Sequence, residues 1–365
     1  MTDQPPPPTP PPGPGEPGPS DPGATGGPAG PPPGWDPAQG GWGTPAAPAQ
    51  WVFPPTGGYP PGADPYPGQS WYPGPPVGWY PPGHGYDPND PLVTPPGAGL
   101  GGWSARCGAA LRRGWRLLVP IMLLTQVAPA AVLSVISLGV DPSARWEVQS
   151  ESPSSLPDTF VTDLVALLSV LVGGSLLIGL VQAVGWAAGS WVITRQAAGE
   201  AVELGPALRY GVRRALGLWG WSLLISLLIG VGVCFCVLPG IYLTLALSMA
   251  GPVYLFERQN PIGRSFRMFH DRLGLLLGRV ALVVAVVIVA TVIPSVLESI
   301  LSVPLGTDPL SSPDTAIGIV AVIALSAVLA LPAHLAQLIG LLVTYAEQRS
   351  HEAPVNSTGL AAELG

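Results

Sequence analysis

Five side chains in the apolar part of this chain have types and positions that could do chemistry. Gln126, Gln182, His334 and Gln337 fall inside long apolar runs, and Arg279 stands near the end of another. A polar or ionisable group in hydrocarbon is costly, so its presence marks a function or an interhelical hydrogen bond. Gln182, His334 and Gln337 all fall in the half of their runs nearest the arginine-rich flanks. They could line a small polar cavity, or simply bond between helices. Arg279 could reach past its run end to water. Asp163 and Glu298 fall at the opposite run ends, where solvation is the ordinary account. No carboxylate pair, Ser-His-Asp set, H-E-x-x-H or phosphate loop is present. We therefore expect no catalytic residues, no cofactor and no enzyme. Cys234-x-Cys236 is a weak metal signal, and small buried packing residues are the favoured reading, so no metal site is expected. With Cys107 the chain has three cysteines and no disulfide framework.

The elements that must position these groups are membrane spans. Of 365 residues only 10% are charged, and apolar stretches of about 20 residues recur. Such a stretch matches the hydrocarbon thickness of a bilayer at 1.5 Å of rise per residue. Six spans follow: 117–138, 164–193, 216–234, 240–256, 279–297 and 316–343. Each must be helical, since helices satisfy their own backbone in lipid and barrel alternation is absent. The third and fourth form a tight pair that either spans fully or re-enters.

All 15 basic residues are arginine, which suggests the codon bias of a GC-rich bacterium. Fourteen fall on one side of the six spans, in the clusters 106–116, 195–214 and 258–279 and at Arg349. Arg145 alone falls on the other, with Asp141, Glu147, Glu151, Asp158, Asp308 and Asp314. The positive-inside rule then places both termini in the cytoplasm of a plasma-membrane protein.

Residues 1–100 hold 33 of the 48 prolines, seven acids and no Lys or Arg. Their apolar content cannot offset the entropy of folding, so a disordered cytoplasmic tail is expected. Aromatics recur along it, from Trp35 to Tyr86. They read either as stickers for a protein partner or self-association, or as incidental features of a linker. Nucleic acid is not an expected partner, because no cation offsets the acids. Residues 101–348 form the membrane domain, and 349–365 a short cytoplasmic tail.

A basic amphipathic segment precedes each pair of spans, at 103–113, 206–214 and 261–269. A basic face opposite an apolar one is the pattern of a helix lying in the membrane interface. The fold class expected is an all-α membrane protein, three helical hairpins each preceded by an interfacial helix. Arg209 and Arg213 would face lipid phosphates in the second segment. In the third, Arg264 and Arg267 would do so while Phe266 and Phe269 enter the headgroup region. Gly185-x-x-x-Gly189 and Gly274-x-x-x-Gly278 offer close helix packing.

From Pro239 the chain reads Pro-Gly-Ile-Tyr-Leu, then Ala250-Gly-Pro252-Val-Tyr-Leu-Phe-Glu257, then Pro261-Ile-Gly-Arg264-Ser265-Phe-Arg267. This resembles a bacterial integral-membrane family that includes the membrane domain fused to some glycerophosphoryl diester phosphodiesterases, and free-standing actinobacterial proteins with proline-rich N-termini. The resemblance implies a six-span helical block without an established activity. The fused phosphodiesterase part is a separate soluble barrel with a metal site, and nothing in this chain matches it.

Two functions stay open. One is a non-enzymatic anchor, scaffold or modulator of an envelope process, acting through the tail. The other is a small-solute or lipid transporter using the polar cavity.

Overall fold

A computed structural model describes residues 87–142, 146, 158–306 and 312–365. The expectations for residues 1–86, for Arg145, Glu147, Glu151 and Asp308, and for the tail aromatics lie outside the described residues. The described residues are helices and short connections. In order these are α1 (Gly99–Met122), a π-helical turn (Leu123–Val127), α2 (Ala128–Val140), α3 (Phe160–Ala197) and α4 (Leu204–Phe235). Then come α5 (Val237–Ala246), α6 (Ala250–Phe256), α7 (Pro261–Asp271), α8 (Leu273–Ser302), a 3₁₀ turn (Val303–Leu305), α9 (Pro313–Leu329), α10 (Leu331–Glu352) and α11 (Ser357–Leu364).

Six stretches are long and apolar enough to cross a bilayer: Gly99–Val140, Phe160–Ala197, Leu204–Phe235, Val237–Phe256, Leu273–Leu305 and Pro313–Glu352. Large apolar side chains stand exposed along them, among them Leu177, Leu227, Ile293 and Ile317. So much bare apolar surface is stable against lipid rather than water. The protein is a polytopic helical membrane protein.

Three spans are interrupted, each just before a proline. Proline has no N–H and crowds the carbonyl four residues back. Pro129 cannot donate to Thr125, and the turn before it widens, so that Ala128 N–H reaches Leu123 O. Pro252 cannot donate to Ser248, and residues Leu247 to Met249 form a non-helical turn between α5 and α6. Pro332 follows the break at Ala330, between α9 and α10. Between α4 and α5 the chain reverses at the single extended residue Cys236. Gly232 and Gly240 meet there, since a Cβ on Gly232 would lie 3.2 Å from Gly240 Cα.

The three basic segments differ. The first two lie within α1 and α4, continuous with the spans they precede, because no breaker separates them. The third is a helix of its own. Asn260 caps α7 by accepting from the N–H groups of Ile262 and Gly263, and Arg272 breaks it from α8. Its protein-facing residues are Pro261, Ser265, Met268 and Phe269. That stripe is shifted by about one position around the helix from the expected apolar face. Phe269 is therefore buried against the bundle and not in the headgroups, whereas Phe266 is only partly buried. Tyr242 of α5 takes Phe269 edge-on at 5.8 Å and holds His270 Nε2 at 3.1 Å through its hydroxyl.

The core lies at the arginine-bearing end, around α10. From Leu338 to Gln348 every residue of α10 is buried. Two segments expected to be tails fold onto this end. Residues 87–98 are packed, with Leu92 and Val93 buried. Asp90 accepts from Leu92 and Val93 N–H with one carboxylate oxygen and from Ser357 N–H with the other. Arg106 donates to Val93 O and Pro88 O, and Arg113 to Pro91 O. Beyond residue 349, α11 starts on an Asn356 cap and buries Leu360, Ala361 and Leu364. Composition hid the first and shortness the second: a few buried side chains hold each, and arginines clamp the backbone of residues 87–98.

Candidate functional site

The interrupted fourth span borders a cavity of about 630 Å³, bounded by α3, α4, α5, α6, α8 and α10. Because the helix stops at Leu247, Ser248 faces this space, its hydroxyl bonded only to Leu245 O at 2.8 Å. Thr244 bonds back to Gly240 O in the same manner. Ser175, Ser190, Ser222 and Ser226 add hydroxyls, and the rest of the wall is mainly leucine, isoleucine and valine side chains with Trp186 and Trp219. No charged residue among those described lines the cavity. Its size suits a small organic molecule or part of a lipid.

Two of the three polar residues expected together are together. Gln182 of α3 and Gln337 of α10 both line the cavity, and neither side-chain amide has a hydrogen-bond partner among the described residues. His334 is not among the lining residues and stands a turn away from Gln337 on α10. Gln126 is structural: it is buried in the π-helical turn and donates to Gln182 O at 3.0 Å. Gly185 lets that turn approach, since a Cβ there would run into Thr125. Gly189 admits Leu338 and Met122 in the same way. Gly274 and Gly278, by contrast, face open space and pack against nothing.

A second cavity, of about 880 Å³, opens at the opposite end of the bundle among α2, α3, α8 and α9. Ser134, Ser137, Ser295, Ser299 and Ser302 line it with the carboxylates Asp141 and Glu298. The two cavities share helices. On α3, Leu171 lines one and Ser175 the other; on α8, Ser295 lines one and Ile288 the other. Residues four and seven apart lie on one helical face, so the same faces of α3 and α8 line both cavities. About 6 to 10 Å of helix separates them. Gly174 lies in that interval, and Leu133 packs over it.

The arginine-bearing end holds a charge network that the sequence did not reveal. Glu257 accepts from Arg264 Nε at 2.7 Å and from the Tyr345 hydroxyl at 3.0 Å. Arg264 also bonds Glu352. Burial opposes its charge, but the bonds from Glu352 and Glu257 outweigh that and raise its pKa further. Arg264 is thus committed to carboxylates and not to lipid phosphate. Arg349 pairs doubly with Glu363, and Arg279 doubly with Glu347. Arg209, Arg213 and Arg267 remain exposed. Cys234 and Cys236 are exposed at the α4–α5 reversal rather than buried, and no metal-binding group occurs among the described residues. The proximity of Glu257 to Arg264 was available from their spacing of seven across an Asn-Pro turn; those of Arg279 and Arg349 with their glutamates were not.

Comparison with family models, with curated proteins and with solved structures finds no match to this chain.

Proposed function

We propose that the protein carries a neutral amphiphile, a lipid or lipid-like molecule, along the cleft between α3 and α8. The observation that carries this reading is the sharing of single faces of α3 and α8 by cavities at the two ends of the bundle. The wall of the first cavity is mainly apolar, with two amides lacking partners. That combination suits a molecule with an apolar body and a small uncharged polar group. A bare ion would meet no compensating charge there. Interrupted spans beside a substrate site also occur in transporters. Among the described residues the lining of the first cavity contains no acid, base or thiol, which favours carriage over catalysis. The resemblance carried by residues 239–267 implies a six-span block and is compatible with this reading.

The clustering of fourteen arginines at one end supports a plasma-membrane protein of a bacterium with both termini cytoplasmic. Alkaline phosphatase fused after Gly365 should then be inactive; an active fusion would reverse the orientation.

Reconstitution tests the transport reading. In proteoliposomes carrying a nitrobenzoxadiazole-labelled monoglycosyl ceramide, whose headgroup is uncharged, dithionite should bleach more than the outer-leaflet half of the label. Gln182→Leu with Gln337→Leu should return bleaching toward half. Half bleaching with the unaltered protein, and no reaction of Ser222→Cys or Ser295→Cys with a water-soluble methanethiosulfonate, would remove the reading. A scaffold role keeps one support: the clamped segment 87–98 fixes where the preceding proline-rich chain joins this face. A pull-down with and without residues 1–86 tests it.

A further inference from the structure

At the arginine-bearing end α4 begins beside a pocket of about 440 Å³ that shares no lining residue with either cavity. Arg209 and Arg213 line it, one helical turn apart, with Pro206 and the rings of Trp191 and Tyr210. The two rings stack at 6.2 Å and form one wall. Arg214 lies over the Tyr210 ring at 6.0 Å. No carboxylate among the described residues pairs with Arg209, Arg213, Arg214 or Arg258. Gly365 also borders the pocket and makes no ion pair with these arginines. The contrast with the same end's other cations is informative. Arg264, Arg279 and Arg349 are all neutralised by glutamates.

The face of α4 that carries Arg209 and Arg213 continues into Leu216, Leu224, Leu227 and Val231, all exposed. Their spacings of eight, three and four residues keep them in one stripe along the helix. An uncompensated pair of guanidinium groups therefore stands at the head of an apolar, lipid-facing stripe.

We infer that this pocket binds the phosphate of an anionic phospholipid, with Arg209 and Arg213 as its ligands and an acyl chain lying along the α4 stripe. Guanidinium groups give phosphate oxygens paired, charge-assisted hydrogen bonds. The aromatic wall suits the amphipathic headgroup level. The apolar stripe selects a lipid over free phosphate, which has nothing to place there. The inference is independent of the carrier reading, because it uses neither cavity.

The full chain, purified in a mild detergent, is to be titrated with phosphatidylglycerol and followed by native mass spectrometry. Phosphatidylcholine and inorganic phosphate serve as parallel probes. One or more phosphatidylglycerol molecules should stay bound, phosphatidylcholine should not, and millimolar phosphate should not displace them. Arg209→Gln with Arg213→Gln should weaken binding roughly thirtyfold, equivalent to about 1 kcal/mol for each arginine. Arg112→Gln with Arg116→Gln removes the same charge from exposed positions on α1 and should leave affinity within about threefold. Equal loss in both double variants would reduce the effect to general surface charge and overturn the proposal. So would displacement of the lipid by inorganic phosphate. Unchanged melting of the Arg209/Arg213 variant shows that lost binding is not lost folding; if it melts early, Arg209→Lys with Arg213→Lys replaces it and should retain most of the binding.

Discussion

At the scale of single residues, a polar group's meaning depends on whether the fold gives it a partner. Arg279 and Glu347 satisfy each other through two hydrogen bonds, and both are nearly buried. Glu347→Gln strands the guanidinium beside the Trp103 ring, which lies 5.7 Å away. Breaking a buried pair costs about 3 kcal/mol or more, so the variant should melt well below the unaltered protein in detergent. Replacing both partners, as Arg279→Met with Glu347→Leu, should recover most of that loss, because the desolvation of two charges disappears with the pair. Glu257→Gln should cost less, about 2 kcal/mol, since Arg264 keeps Glu352 and Arg349 keeps Glu363. Equal melting of all these proteins would mean that the network adds nothing to stability. Gln182 and Gln337 are the opposite case. Their amides lack partners among the described residues, so Gln182→Leu with Gln337→Leu should leave melting unchanged while altering what the cavity holds.

Among elements, the interruptions matter more than the helices. Apolar run length was enough to read six spans, because run length and bilayer thickness are directly comparable. It could not show that α1 starts at Gly99 or that α4 starts at Leu204, since polar flanks of a helix carry no length signal. Nor did it show the breaks, although Pro129, Pro252 and Pro332 were visible. A proline kinks, widens or stops a helix according to what its freed carbonyl meets, which is a tertiary matter. The polar cavity was half legible for the same reason: Gln182 and Gln337 meet in it, while His334, one turn off, does not. Pro252→Ala restores the missing donor to Ser248. It should join α5 to α6, raise amide-exchange protection at residues 247–249, and draw Ser248 into the helix. If protection does not rise, neighbouring side chains and not the proline hold the break open.

For the whole molecule, the two ends of the described chain converge. The segment 87–98, the start of α1, the end of α10 and α11 form one cap over the arginine-bearing end. Asp90 is its pivot: it turns its own segment and takes Ser357 N–H across the chain. Ser350 donates to Thr94 O, and Ser357 to Ala197 O, which ties α3 into the same cap. This arrangement makes residues 87–98, assigned from composition to the tail, part of the fold. Deleting residues 1–86, whose composition predicts no folded core, should leave the melting temperature in detergent unchanged. Deleting residues 1–98 removes Leu92 and Val93, which are 0% and 3% exposed. Each such side chain contributes about 1.5 to 3 kcal/mol when buried. The longer deletion also removes the acceptors of Ser357 N–H and of the Arg113 side chain, and two of the acceptors of Arg106. A loss of several kcal/mol follows, and Asp90→Ala should reproduce part of it. Equal melting of the two deletions would show that the segment rests on the bundle without holding it.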